Sequence, residues 1–330
     1  MAAVLEVKGV HKSYKGHTVL KGVSFSVSPG EVFGLLGPNG AGKSTMLGIL
    51  SGLFPKDKGE VLYHDKKIET LAGELPKFIG IVPQDDYFYF PFTVEGNLRF
   101  FGLMNGVTGN ELSKQVSHLI SWLGLEPFRH TPAAQLSGGY KRLLNIACSL
   151  VHDPAIIFFD EPTVALDPNI RHLFWKKITE LRKQGKAIIL TTHYMDEAQK
   201  LCDRLCLIVH GEILAEGPPQ ELIDRFGGER ILALRFAPEV DLNKEPRLLE
   251  GVHKLFPKSG IQYKRHYLFV SMPQKAQFDT VAKIVSFVES EGFTIVSQQL
   301  KEPELEDVFI HVTGERHLQS EVKNVAESKQ

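Results

Sequence analysis

The sequence predicts an α/β fold: a core sheet built around a phosphate-binding loop, joined by an antiparallel β subdomain and a helical subdomain, with a small C-terminal α+β domain. Three observations carry this prediction. First, Gly37-Pro38-Asn39-Gly40-Ala41-Gly42-Lys43-Ser44-Thr45 sets two glycines around four free positions, then Lys and Ser, which is the P-loop spacing. Second, an apolar run, Val32-Phe33-Gly34-Leu35-Leu36, precedes it, and a helical pattern through Met46 and Leu50 follows and stops at Gly52. Strand, glycine loop, helix is the context such a loop requires. Third, four consecutive apolar residues, Ile156-Ile157-Phe158-Phe159, end in Asp160 and Glu161. A strand buried on both faces of a parallel sheet reads this way, and ligands bind beyond the C-terminal ends of such strands.

Composition narrows the class. The chain has 330 residues, 43% hydrophobic and 23% charged, enough for one large domain and a smaller one. A formal net charge of −1 gives no general attraction to nucleic acid or anionic membrane. Three cysteines do not make a disulfide framework and suit a reducing compartment. Cys202 and Cys206 lie four apart with no matching His or Cys cluster, which favours core packing over a metal site. The N-terminus lacks a basic segment followed by a long apolar one, so no signal peptide is expected. No stretch approaches the roughly 18 apolar residues of a membrane span. Any membrane role is therefore expected through a partner.

In chain order, residues 4–36 read as a run of short strands, with Val23-Ser24-Phe25-Ser26-Val27 alternating as a half-buried strand does. Tyr14 falls in a polar loop, Lys12–Gly16, where an aromatic can stack on a base or simply stand exposed. In the P-loop, Gly37, Gly40 and Gly42 are expected to adopt positive φ and let the backbone approach a ligand. Successive N–H groups from Asn39, Gly40, Ala41, Gly42, Lys43, Ser44 and Thr45, with Pro38 shaping the loop, then form an anion nest at a helix start. Lys43 can reach the β- and γ-phosphates, and the Ser44 hydroxyl can ligate Mg²⁺.

Strands are expected at 61–63 and 79–83, with Gln84 just past the second. Five aromatics lie between Tyr87 and Phe92 beside Asp85 and Asp86; they form either a loop folded into the core or an exposed docking surface. Residues 95–130 are mostly helical by pattern, with Leu112, Val116, Leu119, Ile120 and Leu123 on one face. Ser137-Gly138-Gly139 then opens a helix, which local chemistry explains as a Ser N-cap with flexible glycines. Asp160 is placed to partner Mg²⁺ and Glu161 to act as base toward an attacking water. Asp167-Pro168 reads as N-cap and first helical residue, with Ile170, Leu173, Phe174, Ile178 and Leu181 inward. Ala187–Leu190 is a further buried strand, and Thr191-Thr192-His193 leaves its C-terminal end, on the same sheet edge as Lys43 and Glu161. The motifs stop near Gly227-Gly228. The expected division is 1–227 for the nucleotide-binding domain, with a helical subdomain about 93–150, then 228–313 for an α+β accessory domain. Residues 314–330 are polar and expected to be disordered.

Taken as an ordered set, these residues resemble the ATP-binding subunits of ABC transporters over residues 4–225. The P-loop, Gln84, Leu136–Gly139, Asp160-Glu161, Asp167 and His193 stand in that family's order and at similar spacings. The resemblance implies a P-loop ABC ATPase core that uses ATP and Mg²⁺. It implies Tyr14 as the adenine-stacking aromatic and Gln84 as a loop residue that senses Mg²⁺ and the membrane partner. Ser137, Gly138 and Gly139 would be the signature loop, contacting the γ-phosphate held by a second subunit. Asp167 would signal across that dimer and His193 would sense the γ-phosphate. Metal contacts are thus expected from Ser44, Gln84 and Asp160, and catalytic roles from Lys43, Gln84, Glu161 and His193. Two departures stand out: Tyr140 where the signature often has Gln, and Val164-Ala165 where Ser-Gly or Ser-Ala is commoner.

Glu304-Leu305-Glu306-Asp307-Val308-Phe309 resembles the tail of ATPases that serve ABC-2 type exporters, including drug-resistance pumps. The resemblance therefore implies an ATPase on the cytoplasmic face of a membrane, driving a separate integral-membrane permease as a homodimer or a heterodimer of ATPase subunits. No nucleic-acid partner is expected. The alternative is a soluble ABC ATPase acting on a ribosome or nucleic-acid complex. Such proteins usually carry two cassettes or long coiled-coil insertions, and this chain has neither.

Overall fold

The computed structural model describes residues 2–71, 73–164, 166–237, 245–255, 260–264, 266–272 and 278–313, so the expected tail at 314–330 lies outside the described residues. Chain contacts divide it into two compact units that meet at Pro219 and Gln220. The first opens with two long strands, β1 (Leu5–Tyr14) and β2 (His17–Val27), instead of a run of short ones. They form a hairpin whose two turn residues, Lys15 and Gly16, have φ of 49° and 83°. That left-handed pair matches the twist of the strands, so Tyr14 closes β1 and does not stand in a loop. β3 (Val32–Leu36) runs into the glycine loop and α1 (Lys43–Leu50). β4 (Lys58–Tyr63) and β5 (Lys66–Lys67) complete an antiparallel sheet of order β2-β1-β4-β5.

A short α2 (Leu75–Phe78) leads to β6 (Ile79–Val82). The helical insertion comprises α3 (Val94–Met104), α4 (Gly109–Trp122) and α5 (Gly138–Leu150). The apolar stripe read from the sequence faces inward: Leu112, Val116, Leu119, Ile120 and Leu123 are all buried. The Thr93 hydroxyl caps α3 by accepting the Gly96 N–H at 3.0 Å. β7 (Ile156–Asp160), α6 (Pro168–Lys183), β8 (Ala187–Thr192), α7 (Met195–Leu201), β9 (Arg204–Val209) and β10 (Glu212–Gly217) follow.

The second sheet has order β10-β9-β3-β8-β7-β6, and every pair except β10–β9 is parallel. This topology positions the site. β3, β6, β7 and β8 all end at one edge, with Leu36 beside Thr192 and Asp160 beside Thr191. One apolar core fills the space between the two sheets, with Met46, Ile49 and Leu50 of α1 inside it and the rings of Phe25 and Phe33 stacked at 4.9 Å. Cys148, Cys202 and Cys206 are free and buried.

The second unit begins with α8 (Pro219–Phe226). β11 (Arg230–Phe236), α9 (Glu245–Leu255), β12 (Ile261–Lys264), β13 (Tyr267–Met272), α10 (Phe278–Ser290) and β14 (Ile295–Lys301) make a βαββαβ arrangement of sheet order β12-β13-β11-β14. Alternate residues of β11 and β13, Leu232, Leu234, Phe236, Leu268, Val270 and Met272, pack on Leu248, Val252, Ile284 and Val288. A helix over 305–313 follows, where the sequence pattern predicts a last helical turn or two.

Candidate functional site

The glycine loop is shaped by its neighbours. Gly40 and Gly42 have φ of 80° and 104°, as expected, but Gly37 does not lie in the left-handed region. Its constraint is space: a Cβ there would overlap the Ile208 carbonyl oxygen of β9. At Gly42 a Cβ would lie 2.7 Å from Leu20 Cδ2 of β2. The loop is thus pressed between β2 and β9, and its free side opens on a cavity of about 570 Å³. Pro38 to Thr45, Gln84, Glu161, Val164 and His193 line that cavity, with His17 and Val19 from β2.

Lys43 is buried and folded back on its own loop. Its Nζ donates to the carbonyls of Gly37 at 2.7 Å and Pro38 at 3.2 Å, and lies 3.3 Å from Glu161 Oε1. Glu161, also buried, has a left-handed φ of 48°. Its N–H donates to the Thr191 carbonyl at 3.2 Å and to the Thr191 hydroxyl at 3.0 Å. Its second oxygen, Oε2, is 2.7 Å from His193 Nδ1. A carboxylate only accepts, so this contact places the imidazole proton on Nδ1. The acid therefore stands between a cation and an imidazole on neighbouring elements.

Asp160 Oδ1 accepts from Ser44 Oγ at 3.2 Å and from Thr191 Oγ1 at 2.6 Å. Among the described residues there is no group of three or more His, Cys, Asp or Glu side chains able to hold a metal. Of the expected metal contacts, the Ser44 hydroxyl and the Gln84 amide line the cavity, while Asp160 stands behind the wall and reaches it through its bond with Ser44; together they are a hard-oxygen set suited to Mg²⁺ shared with phosphate oxygens.

Sequence reasoning missed the groups that hold this edge together. Arg142, on the inner face of α5, is buried. It donates to the carbonyls of Pro162 at 2.9 Å, Asp160 at 3.1 Å and Gln84 at 3.2 Å, and also to that of Pro83. Burial pulls its pKa down from the usual arginine value, while the charges of Asp86 and Asp160 oppose that shift. One turn on, Asn145 Nδ2 donates to Asp85 O at 3.3 Å and Asp86 Oδ1 at 3.2 Å, and the Tyr87 hydroxyl donates to Asn145 O at 2.9 Å. The signal available was polar spacing: Arg142, Asn145 and Ser149 recur at i, i+3 and i+7 on a helix face otherwise apolar.

Other expected site residues stand elsewhere. Tyr14 is 42% exposed and does not line the cavity; Lys12 Nζ lies 5.1 Å from its ring. Ser137, Gly138 and Gly139 form the N-terminal end of α5, away from the cavity wall. Gly139 packs against the start of α6, where a Cβ would meet Ile170 Cγ1 at 3.0 Å and Asp167 Oδ2 at 3.4 Å. Asp167 caps α6, accepting the N–H groups of Asn169 at 3.0 Å and Ile170 at 3.1 Å. Tyr140 lays its ring on Phe128 at 4.4 Å. The aromatic run divides between the two expectations: Phe88 is buried and Tyr87 half-buried, while Tyr89, Phe90 and Phe92 are exposed. Asn97, fully buried, braces them by accepting the Tyr89 N–H at 2.8 Å and donating to Tyr89 O at 3.0 Å.

The ABC transporter family model matches residues 20–164, the span from β2 to the end of the Glu161 loop. The chain is 37% identical over 311 residues to Nod factor export ATP-binding protein I of Sinorhizobium fredii, covering 94% of this chain and 86% of that one. It is 34% identical to linearmycin resistance ATP-binding protein LnrL of Bacillus subtilis, covering 94% and 98%. Among solved structures, a dimeric ATP-binding cassette in a post-hydrolysis state with ADP and Pi superposes with a TM-score of 0.60 at 28% identity, covering 65% of this chain and 98% of that one. Similarity that runs nearly end to end, together with a P-loop, an acid pair and a histidine gathered on one sheet edge, makes this chain a member of the ABC transporter family, as an ATP-binding subunit.

Proposed function

We propose that this chain hydrolyses ATP to drive a separate integral-membrane permease of the exporter class, acting from the cytoplasmic face of the membrane. The observation that carries the reading is the convergence of Lys43 and His193 on Glu161, at 3.3 Å and 2.7 Å from its two carboxylate oxygens, on a cavity floored by the P-loop. The names of the relatives, one exporting and one conferring resistance, favour a transporter over a ribosome-acting ATPase. Among the described residues no helix is long and apolar enough to cross a membrane, which suits a subunit that works through a partner.

In this reading the β- and γ-phosphates lie on the N–H groups of Asn39–Thr45, and Lys43 exchanges part of its contact with backbone carbonyls and Glu161 for phosphate oxygens. Glu161 accepts a proton from water as that water attacks the γ-phosphorus, and the bond to ADP breaks. His193, its Nδ1 proton on Glu161, orients that carboxylate and approaches the γ-phosphate. Ser44, Gln84 and Asp160 would hold Mg²⁺, which supplies charge neutralisation to the phosphates when bound. Tyr14 would stack on adenine after a small movement of the β1–β2 hairpin. Ser137, Gly138 and Gly139 would close on the nucleotide of a second subunit, whether an identical chain or a related one.

The test is Glu161→Gln. ATP binding should persist while turnover falls by roughly 10²–10⁴, the usual contribution of a positioned general base. Turnover near the wild-type rate would remove Glu161 from that role. Co-purification from gently solubilised membranes of the native host, with ATP present, should bring down a polytopic membrane protein. Recovery of ribosomes or nucleic acid in its place would count for the rival reading.

A further inference from the structure

The reaction just described leaves one buried acid without a task. Glu197 lies on α7, four residues after His193, and is 1% exposed. Its Oε1 accepts the indole N–H of Trp175, on α6, at 3.3 Å. Its Oε2 makes no hydrogen bond, and neither does the hydroxyl of Thr163, another buried group two residues beyond Glu161. The Thr163 and Thr192 hydroxyls nonetheless lie within hydrogen-bonding range of the carboxyl and hold its pKa down, against the effect of burial, although neither Glu197 Oε2 nor Thr163 Oγ1 makes an aligned bond. Burial raises the pKa of Glu197, with the Asp196 charge adding to the effect. Two adjacent buried polar groups left open in a well-packed region are uncommon, because each forfeits the bonds it had with water. A small relative shift of α7 and the Glu161 loop would satisfy both.

We propose that Glu197 is a positioning residue that couples the His193 helix to the Glu161 loop through Thr163, with Trp175 as its anchor on α6, the Glu197–Thr163 bond tightening when nucleotide enters the site. The inference rests on the ATPase reading above and extends it. Glu161 and His193 come from separate crossovers of the sheet, after β7 and after β8. Their direct contact is a single one, and it must loosen when a phosphate and a water enter. A second link that tightens at that moment keeps base and sensor in register.

The experiment uses the full chain with three variants: Thr163→Val, Glu197→Leu and Glu197→Gln. Thr163→Val and Glu197→Leu should each leave KM for ATP within about two-fold and lower kcat roughly ten- to a hundred-fold, the scale of misplaced catalytic groups. The double variant should be no slower than the worse single one, because both remove the same link. Glu197→Gln should keep most of kcat, since its amide can accept from Trp175 and donate to Thr163. Multiplying losses, a loss confined to KM, or Glu197→Gln as slow as Glu197→Leu would overturn the proposal. Thr163→Val, nearly isosteric, and Glu197→Gln decide the matter even if Glu197→Leu fails to fold. Absence of turnover in the wild-type chain would count against the ATPase reading instead. The link is then read from Trp175 emission in a Trp122→Phe background: ATP should shift it in the parent and not in Thr163→Val, and an equal shift in both would refute the link.

Discussion

Glu161 concentrates the chemistry of the site in one residue. Its left-handed φ of 48° is costly for a side chain with a Cβ, of order 1–3 kcal/mol. Two bonds from its N–H to Thr191 hold that conformation in place, and strain retained at a reacting group is what a pre-set base would show. Lys43 and His193 each claim one oxygen of its carboxylate. Replacing Lys43 by Ala should therefore weaken ATP binding by at least ten-fold, the loss of one charge-assisted contact at about 1.5–3 kcal/mol, as read by titration with a fluorescent nucleotide. Unchanged affinity would contradict the P-loop assignment. Gly37→Ala should be worse tolerated than its ordinary φ suggests, because the Cβ meets the β9 backbone, which cannot swing aside as a side chain would.

At the scale of elements, the edge of the sheet depends on α5. Arg142 donates to four carbonyls on two different loops, those of Pro83, Gln84, Asp160 and Pro162. Arg142→Met keeps the stem but leaves these carbonyls without their donor, so it should cost at least about 1–3 kcal/mol, the penalty of one unsatisfied buried polar group, seen as a lower denaturation midpoint and a parallel loss of turnover. Glu197 adds a pH signature. Its folded pKa is raised above the ordinary 4.5, so its stabilising share is complete below that value and is lost as pH rises through the folded pKa. Glu197→Gln should accordingly gain stability relative to wild type as pH rises above 4.5 in paired denaturation curves; a constant difference would mean the carboxyl does not titrate with folding.

Much of this was legible in advance, for identifiable reasons. The P-loop, the Ile156–Phe159 strand and the α4 stripe announce themselves through spacing, because period and burial are local properties of the chain. The β1–β2 hairpin is hidden in the sequence because Lys15-Gly16 is not a usual turn pair, and Lys15 adopts a positive φ that its residue type does not advertise. Gly37 was assigned the wrong constraint because its neighbour, Ile208, is 171 residues away in sequence and invisible to local reasoning. Arg142 looked like one more charged residue on a helix. Only the fold brings Pro83 and Pro162 to its two sides.

The whole molecule consists of an ATP-binding unit and a βαββαβ unit with its own core. On the first, Tyr89, Phe90 and Phe92 stand exposed, as do Leu103 and Met104 of α3, and Tyr89 and Phe92 meet the ring of Phe100 at 4.7 Å and 6.0 Å. Aromatics held outward by a fully buried Asn97 are costly to keep in water, and patches of this kind mark contact surfaces. Replacing Tyr89 and Phe92 together by Ser should abolish recovery of the membrane partner while sparing nucleotide affinity. Retained co-purification would move the contact elsewhere. The three cysteines bear on the molecule as a whole in another way. All are enclosed, and burial drives each thiol well above its ordinary pKa, so the reactive thiolate is scarce and unreachable in the native state. An alkylating reagent should thus modify the intact chain only as fast as it opens, and the labelling rates of Cys148, in the helical insertion, and Cys206, in the central sheet, become two independent clocks of how separately these regions come apart.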